Sequence, residues 1–576
     1  MTEIDPAAFS THRPTLRGSR QAVSSGHYLA SAAAFSILDA GGNAVDAGCA
    51  AGIALGVLCP DEVNVAGVAP IMIRTADGRI ATIAGVGHWP QSIPPDLFLR
   101  DYDGQIPPGI LPTVVPAAPD AWITALRDFG TLSFAEVAES AIRFARDGFE
   151  VHERLAQQIE LQAGGYRRWP ANADIYLPGG SLPRARDRFV QRDLANSLQY
   201  MADEESAARG DRAAGLEAAR SAFYAGDIAA QIVSYHEAHG GYLTRDDLAN
   251  FRCRYEPPLR TRWRDFDIVT CGPWCQGPLF AQIMRLVGAS EVLTFPFLST
   301  DYVHLMLEIF KAAFADREYR YGDPRFVDVG MDELLSDDHV AARLAMIDPE
   351  KAAPEMPPPI GGDPGVVDYV PAPRHPVVGG AHGDTSYVCV VDRWGNSFSA
   401  VPSDASSGSP VIPGTGLIPS ERGIQSRPDP RHPSGVAPGK RPRLTPNPAM
   451  AIRDDGSVLT IGCPGGDMQV QAMVQVFLNT FHFGMDLQLA IDAPRFSTWS
   501  FPNSFAPFDY PAGLACIESR VPGDVLDALA DRGHIVERWP DFTRTAAAVE
   551  AIYSDAQSGF LAAGADPRQP AYAIVS

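Results

Sequence analysis

The sequence predicts an α+β fold, with helices and strands interleaved along the chain. Three observations carry this expectation. Residues 386–391 are mostly β-branched, aromatic or otherwise apolar, which suits a strand buried on both faces. Residues 44–58 are alanine-rich and apolar almost all round, the pattern of an interior helix. Residues 71–75 and 80–84 are short apolar runs split by the turn Ala76-Asp77-Gly78, which reads as a pair of strands.

Taken in order, residues 24–39 are expected to be helical and to close on Gly41-Gly42 as a glycine C-cap. The buried helix 44–58 and the two short strands follow. Residues 131–148 form another helix. Phe223-Tyr224-Ala225-Gly226-Asp227 leads into a helix that stops at Gly240-Gly241, and Thr244-Arg245-Asp246-Asp247 has the form of a capping box. Residues 301–320 place Tyr302, Leu305, Met306, Ile309, Phe310, Ala313 and Phe314 on one helical face. Residues 351–378 carry eight prolines and no periodic apolar pattern, so they are a linker rather than a helix or central strand.

The linker gives way to the loose run Gly379-Gly380-Ala381-His382-Gly383 and then to the apolar strand, so Thr385 sits where loose chain becomes sheet. Arg393-Trp394-Gly395 reads as a three-residue hairpin loop with glycine last, where positive φ is needed. A hairpin centred on Trp394 sets Thr385 opposite Ser403, with Cβ atoms about 5 Å apart and the two hydroxyls in hydrogen-bonding reach. Further on, residues 458–466 end in Cys463-Pro464-Gly465-Gly466 and precede an amphipathic run at 468–479. That is strand, glycine turn and helix. Backbone N–H groups at such a helix start are unpaired and suit an oxyanion. No Gly-Lys-Ser/Thr follows, which argues against a phosphate loop.

Composition bounds the function. At 576 residues, 45% hydrophobic and 20% charged, this is an ordinary globular chain with ample core. A net charge of −22 argues against nucleic acid or an anionic membrane as partner. Met1 to Asp5 is acidic and polar, no signal peptide is expected, and no apolar run reaches the roughly 18 residues of a membrane span, so a cytoplasmic location is expected. The eight cysteines lie among apolar neighbours and read as buried small hydrophobes, with no zinc spacing and no metal or cofactor expected.

The run Thr385-Ser386-Tyr387-Val388-Cys389-Val390-Val391-Asp392-Arg393-Trp394-Gly395-Asn396 resembles the start of the small subunit in the γ-glutamyltransferase family, whose signature there is Thr-Thr-His-x-Ser-Val-Val-Asp-x-x-Gly-Asn. Gly41-Gly42-Asn43-Ala44-Val45-Asp46-Ala47, Ala315-Asp316-Arg317 with Gly322-Asp323-Pro324, and Pro464-Gly465-Gly466 are similar to further family motifs, in family order over nearly the whole chain. The resemblance implies a self-cutting N-terminal-nucleophile hydrolase with a four-layer αββα sandwich. It puts the cut between Asp384 and Thr385, leaving a large segment of 384 residues and a small one of 192 (576 − 384). The two would be subunits of one interlocked fold, with a homo-oligomer of that pair left open. Thr385 would be the nucleophile, Ser403 the hydroxyl that orients it, and Gly465 and Gly466 the oxyanion donors. The freed α-amine, with a pKa near about 8, would serve as the base.

Substrate recognition departs from the family. Val86 stands where γ-glutamyl transferases carry the arginine for the α-carboxylate, in Ala84-Gly85-Val86-Gly87-His88-Trp89-Pro90. Gln425 replaces an amine-binding carboxylate, Ala405 an asparagine, and Leu444-Thr445 a serine pair. A charged head group needs charge-assisted partners, each worth about 1.5–3 kcal/mol, so glutamyl selectivity is expected to be lost. Arg422 and Arg443 are candidates for a carboxylate placed differently, and His88 and Trp89 for the acyl pocket. The leading expectation is an amidohydrolase acting on a small non-γ-glutamyl amide. A true γ-glutamyltransferase with a rebuilt head-group site and an uncut binding protein remain the alternatives.

Overall fold

A computed structural model describes residues 11–361 and 384–576. Most of the proline-rich linker and the whole of Gly379–Gly383 lie outside the described residues; 351–361 contain no helix or strand.

Two seven-stranded antiparallel sheets form the centre. One runs, edge to edge, Tyr572–Val575, Ala22–Ser25, Val388–Val391, Ser397–Ala400, Ile71–Arg74, Ile80–Ala84 and Arg254–Glu256. The other runs Leu16–Gly18, Leu561–Ala565, Glu550–Ser554, Val458–Gly462, Ala449–Arg453, Phe266–Thr270 and Leu259–Trp263. Each sheet takes strands from both sides of Asp384–Thr385, so that bond divides one fold rather than two domains.

Alternation along the strands builds the layers. Val388 and Val390 face outward into a core shared with the helices Ala44–Leu58 and Ala118–Phe129. Tyr387, Cys389 and Val391 face inward and meet Ile552 and Ala563 of the second sheet. The far side of that second sheet packs on the helices Gly277–Ala289, Thr300–Arg320 and Met468–Phe481. The order is helix, sheet, sheet, helix, the four-layer sandwich that the resemblance implied. Burying each of these valines contributes about 1.5–3 kcal/mol.

The hairpin is locked locally. Asp392 Oδ1 accepts from the N–H groups of Trp394 (2.9 Å) and Asn396 (3.0 Å), while Oδ2 accepts from Asn396 Nδ2 (2.8 Å) and from the Ala44 N–H (2.9 Å). One carboxylate thus closes the turn and caps the interior helix. Gly48 lets that helix approach, because a Cβ there would lie 2.1 Å from the Phe398 ring. Helix Ala44–Leu58 is buried at every residue, as expected, and Thr244 and Asp247 form a capping box. All the cysteines but Cys253 are buried, and none forms a disulfide.

Two expectations are corrected. The helix predicted at 24–39 begins only at Tyr28, because Ala22–Ser25 is a strand paired with Val388–Val391. Tertiary pairing overrides the local helical pattern there. Helix Thr300–Arg320 is buried on all sides from Tyr302 to Glu318, not on one face. Its polar side is covered by ion pairs such as Arg317–Asp467 (2.6 Å). No helix among the described residues is long and apolar enough to cross a membrane.

Candidate active site

The ladder pairs Val388 with Ala400 and Val391 with Ser397, and beyond a short break an isolated bridge pairs Thr385 with Ser403. This is the register that centring the hairpin on Trp394 requires. Thr385 Oγ1 lies 2.7 Å from Ser403 Oγ, and both hydroxyls donate to the carbonyl oxygen of Asp384. Both residues are fully buried. The hydroxyl that would attack and the carbonyl it would attack are therefore in contact across one peptide bond.

Ser403 is fixed through its backbone. Its N–H donates to the Val68 carbonyl (3.0 Å) and its carbonyl accepts from the Val68 N–H (3.3 Å). Gly67 permits this approach, since a Cβ there would lie 2.3 Å from the Ser403 carbonyl oxygen. The next residue, Asp404, has φ = 117°, a conformation that costs a non-glycine residue about 1–3 kcal/mol. The strain turns its carboxylate toward Arg422, where Oδ1 lies 3.3 Å from Nε. Asp404 is itself held by Ser420 Oγ (2.5 Å) and the Glu421 N–H (3.3 Å).

Arg422 gathers the site. Its Nη2 donates to Asp384 Oδ2 (2.8 Å), to the Asp384 carbonyl (3.2 Å) and to Ser403 Oγ (2.5 Å). Three carboxyl groups surround this one buried cation. Burial raises Asp384 to about 7 against the opposing pull of Arg422. Burial likewise raises Asp404 to about 6, and it pushes Glu421 well up with help from Asp404 and Asp384. Burial thus works against ionisation of all three carboxyls, and Arg422 works for it.

The glycine turn follows strand Val458–Gly462. Gly465 and Gly466 have φ of 122° and 57°, which glycine alone adopts freely. Among the described residues, neither N–H finds an acceptor. Helix Met468–Phe481 starts just beyond, so the two donors sit at its positive end. Gly465 packs on Ala547, next to the turn Arg544–Ala546, and Arg544 Nη2 donates to the Thr385 carbonyl (3.4 Å) and to Glu62 Oε1 (3.1 Å). The Tyr387 ring lies against Gly462 at the end of the preceding strand.

The residues proposed for substrate binding separate into groups. Val86 and Leu444 pack in one apolar cluster with Val68, Trp274 and Met450. Gln425 Nε2 donates to Thr445 Oγ1 (3.1 Å). The positions that would hold a charged head group thus carry an apolar pair and a neutral pair. Arg443 is taken up elsewhere, by Glu318 (2.8 Å) and the Arg317 carbonyl (2.8 Å), so that of these two arginines Arg422 is the one beside Asp384. His88 and Val86 line a cavity of about 250 Å³ with Arg252, Arg254, Arg325 and Arg441. Trp89 is fully buried and donates to Ser426 Oγ (2.9 Å).

Sequence reasoning missed Asp404, Glu62 and Arg544 and gave Glu421 no part. No local pattern marks them, since each acts through contacts distant in sequence. His304, Glu308 and His534 lie close enough to share a metal ion. Glu308 is already paired with Lys311 (2.7 Å), His304 Nε2 bonds the Asp348 carbonyl (2.9 Å), and Lys311 also donates to the Ala353 carbonyl (2.7 Å). A buried ammonium on the would-be ligand disfavours a dication, and the group instead ties down residues 348–353.

A buried threonine hydroxyl at the head of a sheet strand, against the preceding carbonyl and between two antiparallel sheets, is the arrangement of an N-terminal-nucleophile hydrolase before cutting. The chain belongs to the gamma-glutamyltranspeptidase family, whose profile matches residues 30–576. It is 33% identical over 559 residues to the acylase ACY 1 proenzyme of a Pseudomonas species, covering 95% of this chain and 92% of that one. It is 30% identical to the glutathione hydrolase-like YwrD proenzyme of Bacillus subtilis, covering 97% of this chain and 98% of the other. The crystal structure of cephalosporin acylase from Bacillus halodurans superimposes with a TM-score of 0.84 at 28% identity, over 99% of this chain and 98% of that one.

Proposed function

We propose that the chain cuts itself between Asp384 and Thr385 and that the freed Thr385 then hydrolyses a small amide other than a γ-glutamyl amide. The observation that carries this reading is the buried contact of Thr385 Oγ1 with both the Asp384 carbonyl and Ser403 Oγ. In the cutting step, Thr385 Oγ attacks the Asp384 carbonyl carbon. The hydroxyl proton passes to the departing nitrogen, the C–N bond breaks, and Asp384 is left as an ester on Oγ. The departing nitrogen becomes the free α-amine, and water then hydrolyses the ester to the Asp384 carboxylate and the Thr385 hydroxyl.

In turnover the α-amine takes the Oγ proton as Oγ attacks the substrate amide, then passes it to the leaving amine. Water completes the hydrolysis of the acyl-threonine. Ser403 holds Oγ in line. Gly465 and Gly466, with N–H groups free of acceptors among the described residues, are assigned to the oxyanion, where losing one donor costs about 10²–10³ in rate. The apolar Val86–Leu444 pair and the neutral Gln425–Thr445 pair support a non-γ-glutamyl substrate. The acylase and the glutathione hydrolase-like relatives bracket the choice. Assay of matured protein on γ-glutamyl-p-nitroanilide against simple acyl anilides tests it, with the acyl anilides expected to be the better substrates.

A further inference from the structure

The ester that forms on Thr385 Oγ during cutting and the acyl-enzyme that forms during turnover are the same functional group on the same atom. Asp384 is therefore the first acyl group the site holds, and the contacts of its side chain describe an acyl-binding seat. That side chain carries a carboxyl group two carbons beyond the carbonyl. Arg422 Nη2 reaches this carboxyl (2.8 Å), the carbonyl oxygen (3.2 Å) and Ser403 Oγ (2.5 Å) at once. Asp404 holds Arg422 from its other side and remains in place after the cut. Glu421, immediately before Arg422, and Asp404 are the other acids of the cluster.

Resting on the reading above, we propose that the matured enzyme takes amides whose acyl group is a four-carbon half-acid, with the terminal carboxyl bound by Arg422 in the seat that Asp384 occupies before cutting. Such a substrate puts its carboxyl the same number of bonds from the attacked carbon as Asp384 does. A longer or shorter diacid misplaces it, and an uncharged acyl chain leaves Arg422 Nη2 without the carboxyl it meets before cutting.

The test is hydrolysis by matured wild-type protein of three anilides with the same leaving group: succinanilic acid, its terminal carboxamide, and butyranilide. We expect kcat/KM for the acid to exceed both others by about 10- to 100-fold, as a charge-assisted hydrogen bond allows. The preference should shrink to within about threefold in Arg422→Gln protein that has matured. Hydrolysis of all three at similar rates, with an acyl group recovered on Thr385, would overturn the seat while leaving the amidohydrolase reading intact. Release of aniline from none of them, and no acyl adduct on Thr385 with any, would overturn both. Free succinate supplies a check that needs no variant: competitive inhibition supports the seat, and no inhibition at concentrations well above KM counts against it.

Discussion

Two regions meet at Thr385, and they are built by different means. Around the hydroxyl, position comes from backbone: a hairpin register, a Val68–Ser403 bridge that only Gly67 allows, and a glycine turn with positive φ. At the positions proposed for head-group recognition, everything rests on side chains, and these are Val86 with Leu444 and Gln425 with Thr445. Backbone geometry survives large changes of side chain, whereas a charge-binding site vanishes with a few substitutions. The catalytic half is therefore constrained and the recognition half is free to drift.

The largest effect should come from the backbone-built half. Thr385→Ala is expected to leave one band at 61.8 kDa and to reduce amide hydrolysis by roughly 10⁴-fold or more. Thr385→Ser, which keeps a hydroxyl, should still be cut. A cleaved and active Thr385→Ala protein breaks the account. Next is Arg422→Gln, which strands the buried acids Asp384 and Asp404. Breaking a buried pair costs about 3–5 kcal/mol, so the uncut Thr385→Ala precursor should melt earlier when it also carries Arg422→Gln. A gel time course of the single Arg422→Gln variant should show slower cutting.

Val86→Arg sharpens the other side of the comparison. Restoring an arginine alone places an unpaired charge in the cluster with Leu444 and Trp274, and it should cost several kcal/mol without creating γ-glutamyl-p-nitroanilide hydrolysis. If that one change confers the activity, the recognition half was never lost. Ser403→Ala removes one hydrogen bond to the nucleophile and should slow turnover by about 10- to 100-fold, read as kcat with KM little changed.

The smallest effect is one of pH. Asp384 stands at about 7 in the folded precursor against its ordinary 3.8, so between those values the folded state binds more protons than the unfolded one. The stability of uncut Thr385→Ala protein should therefore fall as pH rises through that window. Asp384→Asn in the same background should flatten the fall, measured as Tm at several pH values. An unchanged slope would mean that Asp384 is ionised throughout.

Much of the catalytic half was legible because short-range rules govern it. Gly395 after Arg393-Trp394 sets the hairpin, the hairpin sets the register, and the register puts Thr385 opposite Ser403. The glycine turn before Met468 announced itself in the same way. Strand Ala22–Ser25 did not, because its identity comes from pairing with Val388–Val391, which are distant in sequence. Asp404 was hidden for another reason: only its positive φ turns it to Arg422, and nothing in Pro402-Ser403-Asp404 advertises that. Arg422 and Arg443 look alike in sequence, and only the fold separates the one beside Asp384 from the one spent on Glu318.

The most direct measurement is the identity and mass of the small chain after matured protein has met an amide substrate and been quenched. The account predicts a chain of 192 residues (576 − 384) beginning at Thr385, with the acyl group attached to that first residue. A chain starting at any other residue, or an acyl group carried anywhere but Thr385, would contradict it.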